Sequence, residues 1–397
     1  MLSSFPEMFS QRTGWKLTPN KYTQALEEIR SSGKPLIDLT ISNPTECGLA
    51  YDSKAILDAF QNTNALNYEP DAKGLLSARQ EVARYYGEEH NITVDPNAVI
   101  LTTSTSEAYS YIFRLLCNPQ EEVLVPKPSY PLFDFLADLQ DVELIPYSLH
   151  YAHGWFIDFE SLRRALTSKT RAILLVHPNN PTGSYVKSEE VQRLNALCRE
   201  NNVALIVDEV FLDYSLEIRP RRSFVGNHDA LTFTLSGLSK TAALPQMKVA
   251  WMVTTGPNTQ TQTALERLEV IADTYLSLSS SAQRAFPQLL AQRKTLQPQL
   301  LNRIRNNWTY LRSSLREILG CEPLDVEGGW YAVLRICQKV SDEDLSIELM
   351  QHAGVIVHPG HFYDFPNDGY LVVSLISQEQ DFRNGIDKLL KHLASSK

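Results

Sequence analysis

No apolar run in the 397-residue chain approaches the roughly 20 residues needed to cross a bilayer, so no membrane span is expected. The start of the chain also lacks the basic-then-apolar pattern of a secretory leader, and the expected location is the cytoplasm. Positive charge is in deficit: 37 Lys and Arg against 46 Asp and Glu give a formal net charge of −9, which offers nucleic acid or an anionic membrane no dominant basic patch. Cysteine is sparse. Cys47, Cys117, Cys198, Cys321 and Cys337 are scattered, odd in number and never spaced as Cys-x-x-Cys, which indicates neither a disulfide framework nor a zinc knuckle. Internal repeats, low-complexity tracts and long linkers are missing too, and no room is left for a DNA-binding module ahead of the core. What remains is a soluble, globular balance, 43% hydrophobic and 21% charged, long enough for two or more domains. Its expected ligand is a small molecule.

What the chain does contain is a set of short apolar runs, each followed by polar residues. Ala172 to Val176, Val203 to Val207 and Leu231 to Leu235 are continuously apolar or β-branched and separated by helix-like segments, the pattern of fully buried parallel strands. A fourth, Ala98 to Leu101, precedes Thr102-Thr103-Ser104-Thr105-Ser106. In an open α/β sheet ligands sit at the carboxyl ends of the strands, so Ser104 to Ser106, Asn180, Asp208 and Lys240 should converge on one crevice. Elsewhere Tyr22 to Ser31, Ser53 to Asn62 (with a serine cap), Leu75 to His90, Leu265 to Arg293 and Pro298 to Leu319 read as helices, and Gly329 to Ile336, Gly354 to Val357 and Tyr370 to Leu375 as strands. The expected division is a large domain over 45–285 and a small domain built from 1–44 and 286–397.

Several motifs occur in a particular order: Tyr68 before Gly74-Leu75, then Pro128-Ser129-Tyr130-Pro131, Asn180-Pro181-Thr182-Gly183, Asp208-Glu209-Val210, and Ser239-Lys240 with Pro245 beyond. In this ordered set the chain resembles the pyridoxal-phosphate enzymes of fold type I, among them the class I and II aminotransferases related to aspartate aminotransferase. The resemblance runs from Ile37 to Ser374. It implies a mostly parallel central sheet with helices on both faces plus a smaller α+β domain, pyridoxal 5'-phosphate as cofactor, and transfer of an amino group from an amino acid or related amine to a 2-oxo acid by ping-pong half-reactions.

Residue by residue, the resemblance implies that Lys240 holds the cofactor covalently and later moves a proton as a free amine. Asp208 would keep the pyridine nitrogen protonated, with Glu209 beside it a structural partner. Asn180 would bond the phenolate oxygen and Tyr130 stack on the ring. Ser104, Thr105 and Ser106, at the start of a helix, would receive the phosphate with Lys248, and Ser239 would also bind the cofactor. Tyr68 would reach a neighbouring subunit's phosphate, implying a homodimer with shared active sites. Ser42 and Asn43 would bind substrate.

Four positions depart from the resembling pattern. Phe211 stands in place of a tyrosine, Gly237 in place of a frequent serine, and Lys248 in place of an arginine, which keeps the charge without the fork. At Val372 the pattern has an arginine that clamps the substrate carboxylate. Here Arg12, Arg335 or Arg383 could take that role, or backbone amides near Ser42 and Asn43, or the substrate lacks an α-carboxylate. A lyase outcome such as β-elimination, or a non-catalytic cofactor-binding protein, stays open as an alternative, because fold does not decide reaction type. His352, His358 and His361 lie close together, yet Pro359-Gly360 reads as a strand-end turn at the substrate entrance, beside Phe362, and no metal is expected.

Overall fold

The computed structural model describes residues 8–130, 133–217, 222–315, 320–337 and 340–395. Its strands, in chain order, are β1 (Ile37–Asp38), β2 (Val99–Thr102), β3 (Glu122–Lys127), β4 (Glu143–Tyr151), β5 (Trp155–Ile157), β6 (Thr170–Val176) and β7 (Ala204–Asp208), then β8 (Thr232–Gly237), β9 (Ala250–Thr255), β10 (Cys321–Pro323), β11 (Tyr331–Ile336), β12 (Val355–Ile356), β13 (His358–Pro359) and β14 (Tyr370–Ser374). Eight of them form one sheet in the order β2-β9-β8-β7-β6-β3-β4-β5. The run from β8 through β7, β6 and β3 to β4 is parallel, while β9 and β5 run against their neighbours. The chain therefore has the mostly parallel α/β architecture that the apolar runs indicate.

Both faces of this sheet are covered, which is why β6, β7 and β8 read as continuous apolar runs and not as alternating ones. Leu174, Val176, Ile206 and Phe233 face one way, onto Ile112 and Phe113 of the helix Thr105–Leu116 and Leu268 of the helix Asn258–Asp273. Ile173, Leu175, Leu205 and Val207 face the other, onto Leu194 and Leu197 of the helix Ser188–Asn201. Alternate residues of one strand thus serve two cores. A second, antiparallel sheet in the order β10-β11-β14-β13 packs Val333 and Val373 with Leu300 and Ile304 of the helix Arg293–Leu315 and Leu389 of the helix Glu379–Ser395. Two features strap the N-terminal segment to this part: β1 pairs in parallel with β12, and the Ser374 hydroxyl donates to the Ile41 carbonyl at 2.6 Å.

Some helix boundaries differ from the sequence reading. Leu265 to Arg293 is not one helix. Asn258–Asp273 ends, Leu276 takes a left-handed φ of 43°, and Ser279 caps a fresh helix, Ser280–Ala291, by accepting from the Ala282 N–H. A right-handed helix cannot run through such a residue. The helix expected from Ser53 is capped by Asp52, whose side chain accepts from the Ala55 N–H, and stops at Asp58. Two details of the reading, Pro131 and the end of the helix at Leu319, lie outside the described residues.

Candidate active site

The carboxyl ends of β6, β7 and β8, with the start of the helix after β2, open on one cavity of about 460 Å³. Its lining includes Ser42, Ser104, Thr105, Ser106, Tyr130, Asn180, Asp208, Ser239, Lys240 and Lys248. Ten residues drawn from separate motifs thus share a single wall. A larger cavity of about 660 Å³, beside Cys198, Arg199 and Arg267, lies at the amino ends of β7 and β8 and contains none of them. Chemistry, not volume, distinguishes the two.

Lys240 follows directly on β8 in a short helical turn, Leu238–Thr241. The turn is held from several sides. The Tyr214 hydroxyl donates to the Lys240 carbonyl at 2.6 Å, Gln297 donates to the Thr241 carbonyl at 2.7 Å, and the Leu238 N–H donates to the Val249 carbonyl at 2.9 Å. The ammonium lies 4.6 Å from the Trp330 ring centre and 5.7 Å from that of Phe211, and donates weakly to the Ser42 carbonyl at 3.4 Å. Surrounded by rings, it is short of water. Burial lowers its pKa from 10.5 to about 8, with Asp208 and Cys47 pulling the other way.

Asp208 ends β7, 9% exposed. One carboxylate oxygen accepts from the Val210 N–H at 3.1 Å and the other from the Tyr109 hydroxyl at 3.0 Å. Burial raises its pKa from 3.8 to about 6, opposed by these two donors and by Lys240. Glu209, turned to the other side, accepts from the Ser223 hydroxyl and the Phe224 N–H, both at 2.6 Å, and burial raises it to about 7.

Ser104 caps the helix Thr105–Leu116 by accepting from the Glu107 N–H, and Thr105 and Ser106 line the cavity at this helix start, where first-turn N–H groups have no intrahelical acceptors and the helix dipole is positive. Lys248, in a left-handed conformation, adds a cation. Asn180 lines the cavity, and its side-chain oxygen is buried without a hydrogen-bond partner. Behind it the turn is braced by the Gly183 N–H donating to the Asn179 carbonyl at 2.8 Å and the Thr182 hydroxyl donating to the Asn179 side chain at 2.9 Å. An anion pocket at one end, a buried carboxylate beyond it, a hydrogen-bonding amide and a half-dehydrated amine together fit a flat, phosphorylated aldehyde such as pyridoxal 5'-phosphate.

Not every residue singled out from the sequence is brought here. Tyr68 is 78% exposed and borders a separate small cavity with Tyr111 and Gln283. Asn43 is spent as a cap: its side-chain oxygen accepts from the Thr45 N–H and its nitrogen donates to Glu46. Arg12 pairs with Asp141, Arg335 with Glu322, and Arg383 with Glu379, and none of the three lines the cavity. Val372 is buried in β14, opposite Val333 and His358. Gly237 has no space for the missing serine side chain, since a Cβ there would lie 2.9 Å from that of Ala250.

The three histidines separate. His352 stacks on His392, and His361 meets Phe362 edge-on; only His358 lines the cavity, its Nδ1 3.0 Å from the Tyr363 hydroxyl and its pKa pushed down by burial to about 4. Phe362, offered with them for the entrance, is not among the lining residues. The sequence reading missed Tyr109, Trp330, Tyr331 and Tyr363. Trp330 and Tyr331 follow Gly328-Gly329 at the start of β11, and a pair of aromatics after two glycines was the available signal. Tyr109 and Tyr363 gave none.

The sequence profile of the family described as aminotransferase class I and II matches residues 34–389. The glutamate-pyruvate aminotransferase AlaA of Haemophilus influenzae is 25% identical over 374 residues, 92% of this chain and 92% of that protein. The alanine aminotransferase of Mycobacterium tuberculosis is 25% identical over 380 residues, 94% and 89% of the two chains. Among solved structures, an alanine aminotransferase from Pyrococcus furiosus superimposes with a TM-score of 0.88 at 21% identity, covering 98% of this chain and 100% of that one. A Thermus thermophilus aspartate aminotransferase mutant gives 0.84 at 20% identity, with 97% and 100% covered.

Proposed function

Since the chain belongs to the class I and II aminotransferases and is accordingly a pyridoxal-phosphate-dependent transaminase, we propose that the cavity around Lys240 and Asp208 is its active site. The observation that carries this reading is the pairing, in one cavity, of an amine lowered to about 8 with a carboxylate buried at the adjoining strand end. The bound cofactor supplies a sink for the electrons left on the substrate α-carbon when its proton departs. Every other task falls to the chain. Lys240 Nζ would hold the cofactor and, as a free amine, would take and return the substrate α-proton. Asp208 would accept from the ring nitrogen and keep it protonated. Ser104, Thr105, Ser106 and Lys248 would bind the phosphate, Asn180 would donate to the phenolate oxygen, Tyr130 would cover the ring face, and Ser239 would add a further cofactor contact. Phe211 offers no hydroxyl in this wall.

The same reading makes the segments 1–44 and 286–397 a small domain that closes the cavity over a large domain, 45–285. It also gives exposed Tyr68 an acceptor, the phosphate bound by a second copy, in a cytoplasmic homodimer. The substrate side of the cavity is formed by Ser42, Tyr331, His358 and Tyr363. The names of the relatives put glutamate, alanine and pyruvate first among donors and acceptors to try. Purified enzyme loaded with cofactor should lose its visible band on adding a donor amine, release the matching oxo acid and recover the band with a 2-oxo acid, and Lys240→Ala should do none of this. Release of ammonia and pyruvate from a β-substituted amino acid, without that recovery, would replace transamination by elimination.

A further inference from the structure

Tyr109 is 2% exposed, and its hydroxyl reaches one polar group, the Asp208 carboxylate oxygen at 3.0 Å. It belongs to the helix Thr105–Leu116, whose first turn lines the phosphate end of the cavity. One turn of this helix rises about 5 Å, so a single rigid element presents an anion-binding terminus and, a turn later, a phenol aimed at the carboxylate. The ring is fixed by apolar neighbours. Phe133 meets it edge-on at 5.3 Å, and Phe113 lies 6.1 Å away at a tilt. The second Asp208 oxygen takes the Val210 N–H, so the carboxylate is held through both oxygens while the residue lines the cavity.

We propose that Tyr109 is a positioning residue for the cofactor, fixing the orientation and the negative charge of Asp208. The proposal rests on the reading that Asp208 faces the ring nitrogen. A hydroxyl donating to a carboxylate stabilises its ionised form, and does so more strongly where water is excluded. Without that donor a buried carboxyl takes up a proton of its own and no longer offers a counter-charge to a protonated pyridine ring. Tyr109 is not among the residues lining the cavity; its effect passes through Asp208.

The test compares wild type, Tyr109→Phe, Asp208→Asn and the double variant in titrations with pyridoxal 5'-phosphate, read by absorbance and by tryptophan fluorescence. Tyr109→Phe removes one oxygen and leaves the packing on Phe113 and Phe133. Loss of a hydrogen bond to a charged group should weaken binding roughly 10- to 100-fold. Asp208→Asn should weaken it at least as much, and the double variant no further, because the two residues act as one unit. In both single variants the pH at which the bound visible band titrates should also rise, since a nearby positive charge has been lost. A merely structural tyrosine would not move that midpoint. Should Tyr109→Phe not fold, Tyr109→Met, which fills the apolar site without a donor, takes its place and should raise the midpoint in the same way. The proposal is overturned if Tyr109→Phe matches wild type in affinity and midpoint while Asp208→Asn does not, or if the two losses add in full. If Asp208→Asn itself behaves as wild type, the assignment of Asp208 fails first and the proposal with it.

Discussion

Lys240 in the cofactor-free protein should lose its proton near pH 8, not near 10.5. At pH 7 an amine of pKa 8 is about one-tenth neutral, whereas an ordinary lysine is neutral about once in 3,000, a reactivity advantage of roughly 300-fold. The cause is dehydration by Trp330 and Phe211, partly offset by the attraction of Asp208. Two perturbations separate these effects. Asp208→Asn removes the attraction and should carry the midpoint further below 8, while Trp330→Ala admits water and should carry it upward. Reductive methylation with formaldehyde and cyanoborohydride over pH 6 to 11, with the extent at Lys240 read by peptide mass spectrometry, measures the midpoint without involving the cofactor. A wild-type midpoint at 10 or above would refute the argument from burial. An upward shift in Asp208→Asn would refute the electrostatic part.

Glu209 provides a check through stability. Its folded pKa, about 7, lies above the unfolded 4.5, so its contribution is fully present below pH 4.5 and is lost as pH rises through 7. Relative to Glu209→Gln, the wild type should lose on the order of 3 kcal/mol across that window; an equal difference in urea unfolding at pH 4.5 and 7.5 would contradict this. Gly183→Ala should cost about 2–4 kcal/mol, because φ is +70° and the added Cβ would meet the Gly328 carbonyl at 2.5 Å, whereas Gly33→Ala, at φ +73° with open space around it, should cost about 1 kcal/mol. Thermal melts that rank the two equally would argue against the contact. With no guanidinium among the described residues lining the cavity, exchanging the donor's carboxylate for a carboxamide should change kcat/KM by less than about tenfold, against roughly 10- to 100-fold or more for a lost charged hydrogen bond. A larger loss would mean that a cation outside this cavity wall reaches the substrate.

The strand-end residues were legible because a buried parallel strand announces itself twice, by its apolar run and by the polar residue that stops it. Asp208, Asn180 and Lys240 needed nothing more to be brought together. What stayed hidden depends on contacts distant in sequence. Tyr109 sits on a helical face that patterning assigns to the core, and only the approach of β7 turns its hydroxyl into a donor for Asp208. Asn43 looked like a polar group awaiting a ligand, but local capping by its own oxygen took precedence. Arg12, Arg335 and Arg383 each found an acidic partner, and no sequence pattern reveals such pairing. The helix break at Leu276 also escaped notice, because no glycine or proline marks it.

The two sheets meet at the lysine, and this ties its chemistry to the packing of the chain ends. The Gly328 N–H donates to the Gly183 carbonyl at 3.0 Å, joining the turn that carries Asn180 to the strand that follows Trp330. Trp330 is fully buried and supplies the nearest ring to the amine, while the Ser42 carbonyl comes from the strapped N-terminal segment. The depressed pKa of Lys240 is therefore not a property of β8 alone. Separation of the small sheet from the large one would return water to the amine and restore its proton, so the nucleophile is active only while the wall formed by the chain ends is in place.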